Sequence, residues 1–129
     1  MAGYSGTPLA KKLGLKAGLR SHVENPPAGY AKTLGTSLPR RDEGELDFIQ
    51  AFVRDEAELR ALMPAMKERL AKTGMLWISW AKKTSKLFAG VTEDKVRALA
   101  LENGLVDVKV CAVDDDWSGL KLVYRLKDR

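Results

Sequence analysis

Residues 46–81 read LDFIQAFVRDEAELRALMPAMKERLAKTGMLWISWA, a strand, a helix and a second strand in succession. Leu46, Phe48, Ile49, Phe52 and Val53 make the first run a mostly buried strand. Asp55 stands where a helix cap belongs. Behind it Leu59, Leu62, Met66 and Leu70 recur at spacings of three and four, the signature of one buried helix face. Pro64 lies inside that pattern and is expected to bend the helix or divide it. Gly74 is expected to close it as a C-cap. From Met75 to Trp80 the chain is almost unbroken in its apolar character, which suits a central strand covered on both faces.

Toward the N-terminus, TPLAKKLG predicts a short helix. Thr7 can cap it, Pro8 suits its first position and Gly14 can end it. LRSHVEN is a weaker strand, stopped at Asn25-Pro26-Pro27 because proline cannot continue a central ladder. PPAGYAKTLG predicts a second short helix, and GTSLPRRDEGE is the most loop-like segment of the chain. Toward the C-terminus, AKKTSKLFAG reads as a loop and TEDKVRALALENG as a helix. Thr92 caps it, acidic residues fill its first turn, Val96, Leu99 and Ala100 face inward, and Gly104 ends it. LVDVKVCAV and GLKLVYRL both alternate, and DDDWSG joins them as a hairpin.

Strands alternating with helices imply a parallel sheet with right-handed crossovers, and the last strand must run antiparallel to its hairpin partner. The expected architecture is α/β. It is a three-layer, Rossmann-like sheet of about five strands, mostly parallel, with a C-terminal antiparallel hairpin. One domain is expected to span residues 1–129. A parallel sheet with one antiparallel strand near its edge is the pattern of the methyltransferase-like variant of the doubly wound fold.

The formal charge of +5 is a mild excess spread over small groups: Lys11 and Lys12, Arg40 and Arg41, Lys82, Lys83 and Lys86, and the tail. A nucleic-acid binder gathers such charge in a stripe, so nucleic acid is disfavoured as a partner. The single cysteine, Cys111, excludes an internal disulfide and a zinc site built on cysteine pairs. In VDVKVCAV it reads as a small buried strand residue. MAGYSGTPLAKKLG lacks the apolar core of a signal peptide, and no stretch approaches the ~18 apolar residues of a membrane span. The cytoplasm is the expected location, with no membrane partner.

Open α/β sheets bind ligands outside the carboxyl ends of their strands. That edge should collect Asn25 and Tyr30 after the first strand, Arg54 after the second, and Ser79, Trp80, Lys82 and Lys83 after the third. Of these, Asn25, Tyr30, Trp80, Lys82 and Lys83 are the candidate ligand-binding residues. Trp80 with the two lysines suits a small anionic, aromatic ligand. A buried Trp80 beside solvated lysines is the structural alternative. His22, the only histidine, has Glu24 as its one nearby acid. Asp114, Asp115 and Asp116 read as a solvated turn rather than a cation site, because calcium loops space their ligands. No catalytic residue and no metal site is indicated. The segment AGYSGTPLAKKLG, with Tyr4, Ser5 and Thr7, reads either as an arm over the ligand edge or as a helix packed on the sheet. A homodimer through an uncovered sheet face is a further expectation.

PAMKERLAKTGMLWISWAKK resembles the helix, glycine turn and strand in the second half of class I methyltransferases. TEDKVRALALENGLVDVKVCAVDDDWSGLKLVYRL resembles their closing helix and hairpin. AGYSGTPLAKKLG, NPPAGY, GMLWISWAKK and LVDVKVCAVDDDWSGLKLV together resemble a short bacterial domain-of-unknown-function family, along nearly the whole chain. That resemblance implies a bacterial cytosolic protein with no activity attached. The departure from methyltransferases lies after the first strand. Their glycine-rich turn lets the cofactor approach the backbone, as only glycine permits. Here ENPPAGYAKTLG carries two prolines and a tyrosine, and proline removes the N–H donors an anion would need. No cofactor is therefore expected. The functional expectation is a non-catalytic or ligand-sensing domain on a degenerate methyltransferase-like scaffold. An enzyme acting on a small anionic substrate at the strand edge is one alternative, and a weak nucleic-acid binder, resting only on the mild basic charge, is another.

Overall fold

The computed structural model describes residues 8–39 and 44–129. Thr7, the expected cap of the first helix, lies outside the described residues, as do Tyr4, Ser5, Arg40 and Arg41. The strands are β1 (Ser21–Glu24), β2 (Leu46–Val53), β3 (Leu70–Ala81), β4 (Leu105–Ala112) and β5 (Trp117–Tyr124). The helices are α1 (Leu9–Leu13), α2 (Tyr30–Leu34), α3 (Glu56–Arg69) and α4 (Glu93–Glu102).

The strands form one sheet in the order β1-β2-β3-β5-β4. β1, β2 and β3 are parallel, as the alternation of strands and helices predicts. The sheet is less parallel than expected, because both pairings of β5 are antiparallel. The cause is geometric. β4 runs in the same sense as β3 but lies one strand away from it. β5 returns by the hairpin into that gap and must oppose both neighbours.

Alternation along the strands sends side chains to two separate cores. On one face, Leu46, Ile49, Ala51 and Val53 of β2 and Leu76, Ile78 and Trp80 of β3 pack against Leu59, Met63 and Met66 of α3 and Val96 and Ala100 of α4. On the other, Phe48, Phe52 and Trp77 pack against Leu13 of α1 and Tyr30 and Leu34 of α2. The sheet is thus the middle of three layers. Its β2 and β3 strands are apolar on both faces for that reason.

The caps at Asp55 and Thr92 hold, while Pro8 precedes α1 as its N-cap, Met63 rather than Leu62 is fully buried on α3, and Leu70 begins β3 instead of ending the helix face. The Asp55 side chain accepts from the Glu58 N–H at 2.8 Å, and the Thr92 hydroxyl accepts from the Lys95 N–H at 3.4 Å. Pro64 does not divide α3. It is exposed, as is Arg60, whose carbonyl its missing N–H leaves without a donor, so the helix carries the proline on its solvent side. Gly74 is not the C-cap of α3. The helix stops at Arg69 because Leu70, buried and extended, already pairs with Leu46. The ladder then jumps to Phe48–Met75, so Ala71, Lys72, Thr73 and Gly74 bulge opposite Asp47.

Gly74 has a different necessity, close approach. A Cβ there would lie 2.9 Å from the Leu46 carbonyl oxygen and 2.9 Å from Leu70 Cδ1. Gly74→Ala is expected to destabilise by about 1–3 kcal/mol, the range for overpacking a filled site. The denaturation midpoint in urea checks this, and an unmoved midpoint would mean the bulge relaxes freely.

Cys111, expected to be buried, is only half-buried, because β4 is an edge strand. Among the described residues no helix is long and apolar enough to cross a membrane.

Candidate functional site

Parallel pairing of β1, β2 and β3 brings their carboxyl ends to one side of the sheet. Glu24 pairs with Ala51, and Val53 with Trp80, so residues beyond Glu24 and Ala81 emerge at the same end. The candidate residues share that end, but the pleat divides them between faces. Tyr30 belongs to the core under α1 and α2 and Trp80 to the core under α3 and α4, both nearly fully buried. Ser79 and Trp80 lie within β3 rather than after it.

Asn25 is exposed and adopts a left-handed backbone with φ of 53°, the turn by which the chain leaves β1 toward Pro26. Lys82 is half-buried and its backbone N–H donates to the Asp116 carbonyl at 2.8 Å, while Lys83 is exposed. Arg54 is exposed, and its guanidinium is clamped by Glu58, with Nη2 to Oε2 at 2.7 Å. The hydrogen bond from Arg54 holds the Glu58 carboxyl below its usual range, against a smaller opposing effect of burial.

The sequence left one feature of this edge unread. The Tyr30 hydroxyl donates to Gln50 Oε1 at 2.6 Å, and Gln50 Nε2 donates to Ser79 Oγ at 3.1 Å. All three residues are buried, so a polar chain crosses β2 and β3 beneath α2. Burial pushes the Tyr30 phenol well above its ordinary range. The Gln50 bond opposes this, and Asp114 and Cys111 add to it. The phenol therefore stays a neutral donor. Phe52 meets Tyr30 edge-on at 4.8 Å between ring centroids and Trp117 at 5.1 Å, and this closes the chain off from water. The available signal was Gln50 itself, one polar residue at the centre of an apolar run.

His22 does pair with Glu24, Nε2 to Oε1 at 2.6 Å, and the strand register sets both beside Ile49 and Ala51 on the α3 face. The acidic turn is structural. Asp114 Oδ1 accepts from the N–H groups of Asp116 and Trp117 at 2.8 and 2.9 Å, and Asp116 Oδ1 accepts from the Ser85 hydroxyl at 2.9 Å. These bonds shape the hairpin and fasten the loop after β3 to it. Among the described residues no cluster of three or more metal-ligating side chains occurs.

No family model matches the chain, and no curated protein matches it significantly. Solved structures do. LepI in complex with SAM aligns with a TM-score of 0.55 and 11% identity, over 91% of this chain and 39% of that one. Magnesium protoporphyrin IX methyltransferase (ChlM) from Synechocystis PCC 6803 with bound SAH aligns with a TM-score of 0.53 and 16% identity, over 70% of this chain and 53% of that one. The chain thus spans about half or less of the length of these structures. At such identities the likeness concerns fold alone, and the fold it supports is the Rossmann-like, methyltransferase-like scaffold.

Proposed function

We propose that this chain is a non-catalytic or ligand-sensing domain on a degenerate methyltransferase-like scaffold, a single bacterial cytosolic domain of the short family it resembles. One observation carries the reading: among the described residues β1 pairs with β2 alone and so lies at the edge of the sheet. In doubly wound sheets the first strand is central, and nucleotide cofactors bind beside it where the strand order reverses. Among the described residues β1, β2 and β3 advance in one direction, and no strand pairs with the outer side of β1 to make such a reversal. The turn that follows, Asn25-Pro26-Pro27, offers few N–H donors, and the next ring, Tyr30, is packed into the core.

ChlM and LepI were solved with SAH or SAM. Titration calorimetry of this chain with adenosylmethionine is expected to show no binding tighter than about millimolar, near −4 kcal/mol. A micromolar Kd would overturn the reading.

An enzyme acting on a small anionic substrate is the second reading. It is favoured by Lys82 and Lys83, whose side chains make no ion pair among the described residues at the carboxyl end of β3. Asn25, Arg54 and Lys83 are exposed at that end and Lys82 is half-buried, whereas Tyr30 and Trp80 are buried in separate cores. Turnover of a small anion lost in Lys82→Ala would favour this reading over sensing.

A further inference from the structure

The opposite end of the sheet holds an opening that the sequence did not announce. Between α1 and the start of β1, Ala10, Leu15, Leu19 and Met75 line a cavity of about 580 Å³, open to solvent, with Lys11 and Lys16 also in its lining. Phe48 pairs with Ser21 and with Met75 at the amino ends of β1 and the parallel part of β3. The cavity is therefore at the amino end of the strands, away from the edge where sheets of this fold take their ligands.

Its walls are held in place. Leu15, Leu19 and Met75 are partly buried and pack against the core under α1 and α2. Gly14, left-handed with φ of 84°, turns the chain there, and a Cβ on it would lie 3.0 Å from Met75 Sδ. The Gly14 N–H donates to the Lys11 carbonyl at 3.1 Å and the Leu15 N–H to the Ala10 carbonyl at 2.9 Å. The carbonyls of Ala10 and Lys11 are thus satisfied within the turn and that of Leu13 by Trp77 Nε1, so the backbone here makes little demand for a polar ligand. What remains is an apolar wall, adaptable at Met75, and two exposed ammonium groups. Neither Lys11 nor Lys16 makes an ion pair among the described residues.

That combination is selective. The volume lies in the range of about 300–1,000 Å³ typical of small-molecule pockets, which are mostly apolar with a few polar groups for orientation. An inorganic anion would meet only exposed lysines, whose attraction in water is weak. A neutral apolar molecule would leave both cations unused. We propose that this cavity binds a small amphiphilic anion, its apolar body against Leu15, Leu19 and Met75 and its carboxylate or phosphate at Lys11 and Lys16. The proposal rests on the ligand-sensing reading and names that ligand's class. The adenosylmethionine titration tests that reading separately, so the two can fail independently.

The probe is decanoate below its micelle concentration, with decanol as its uncharged counterpart, followed by calorimetry and thermal shift on the full chain. Decanoate should bind and raise Tm. Lys11→Glu with Lys16→Glu, both exposed and so compatible with folding, should weaken decanoate about five- to tenfold and leave decanol unchanged. Ala10→Phe should fill the cavity and weaken both. No decanoate binding at about millimolar concentration, or binding untouched by the double charge reversal, would overturn the proposal. So would co-sedimentation with phosphatidylglycerol vesicles that decanoate fails to displace, which would make the face a membrane contact. A chain begun at Pro8 that binds decanoate more than about tenfold tighter, over 1.4 kcal/mol, would assign the cavity to the protein's own first residues and overturn it too.

Discussion

Trp77→Ala is expected to lower stability by about 3–5 kcal/mol, the cost of deleting a large ring from a core that cannot close over the gap. Trp77 is 0% exposed, on the strand that joins the parallel half of the sheet to the hairpin. Its neighbours are shaped to it. A Cβ on Gly119 of β5 would come within 3.2 Å of Trp77 Cε3, so that strand makes room for the ring by carrying no side chain there. The indole also has a polar task. Nε1 donates to the Leu13 carbonyl at 2.8 Å, which fastens the end of α1 to the sheet. Alanine would remove the ring and leave that buried carbonyl without its donor, an added cost of about 1–3 kcal/mol if water cannot reach it. Urea denaturation should show a lower midpoint with an unchanged slope. A midpoint that does not move would mean that the ring does not fill the core.

Gln50→Leu should cost about 2–6 kcal/mol although it leaves no cavity, because two buried groups lose their partner at about 1–3 kcal/mol each. The Tyr30 hydroxyl would lose its acceptor and the Ser79 hydroxyl its donor. Tyr30→Phe alone should cost less, since it strands only Gln50 Oε1. The double variant Tyr30→Phe with Gln50→Leu should recover part of the loss, because it removes the donor that Gln50→Leu leaves unsatisfied. Purely additive losses in that cycle would mean that the two side chains do not act as a unit. The network lies across the strands that carry the candidate edge, so the same variants show whether that edge depends on it for its shape.

The sequence by itself determined the elements and their order. Unbroken apolar runs in β2 and β3 announced strands covered on both faces. Asp55 and Thr92 announced helix starts, and the alternation on either side of DDDWSG announced the hairpin. These signals are local: a cap bonds three residues ahead and a pleat repeats every two, so a short window of chain contains the whole cause. His22 with Glu24 was legible for the same reason, two residues apart on one face of one strand.

Only the tertiary structure decided how those elements meet. Trp80 and Tyr30 stand at one end of the sheet but in different cores, because a shift of one residue along a strand exchanges its faces. Gly74 was misread as a cap because the pull on Leu70 comes from Leu46, on another strand. The partners of Gln50 lie 20 and 29 residues away along the chain. The cavity between α1 and Met75 belongs to no single segment either. A buried polar bond or an open cavity is a property of surfaces brought together, and those surfaces do not exist until the sheet has paired.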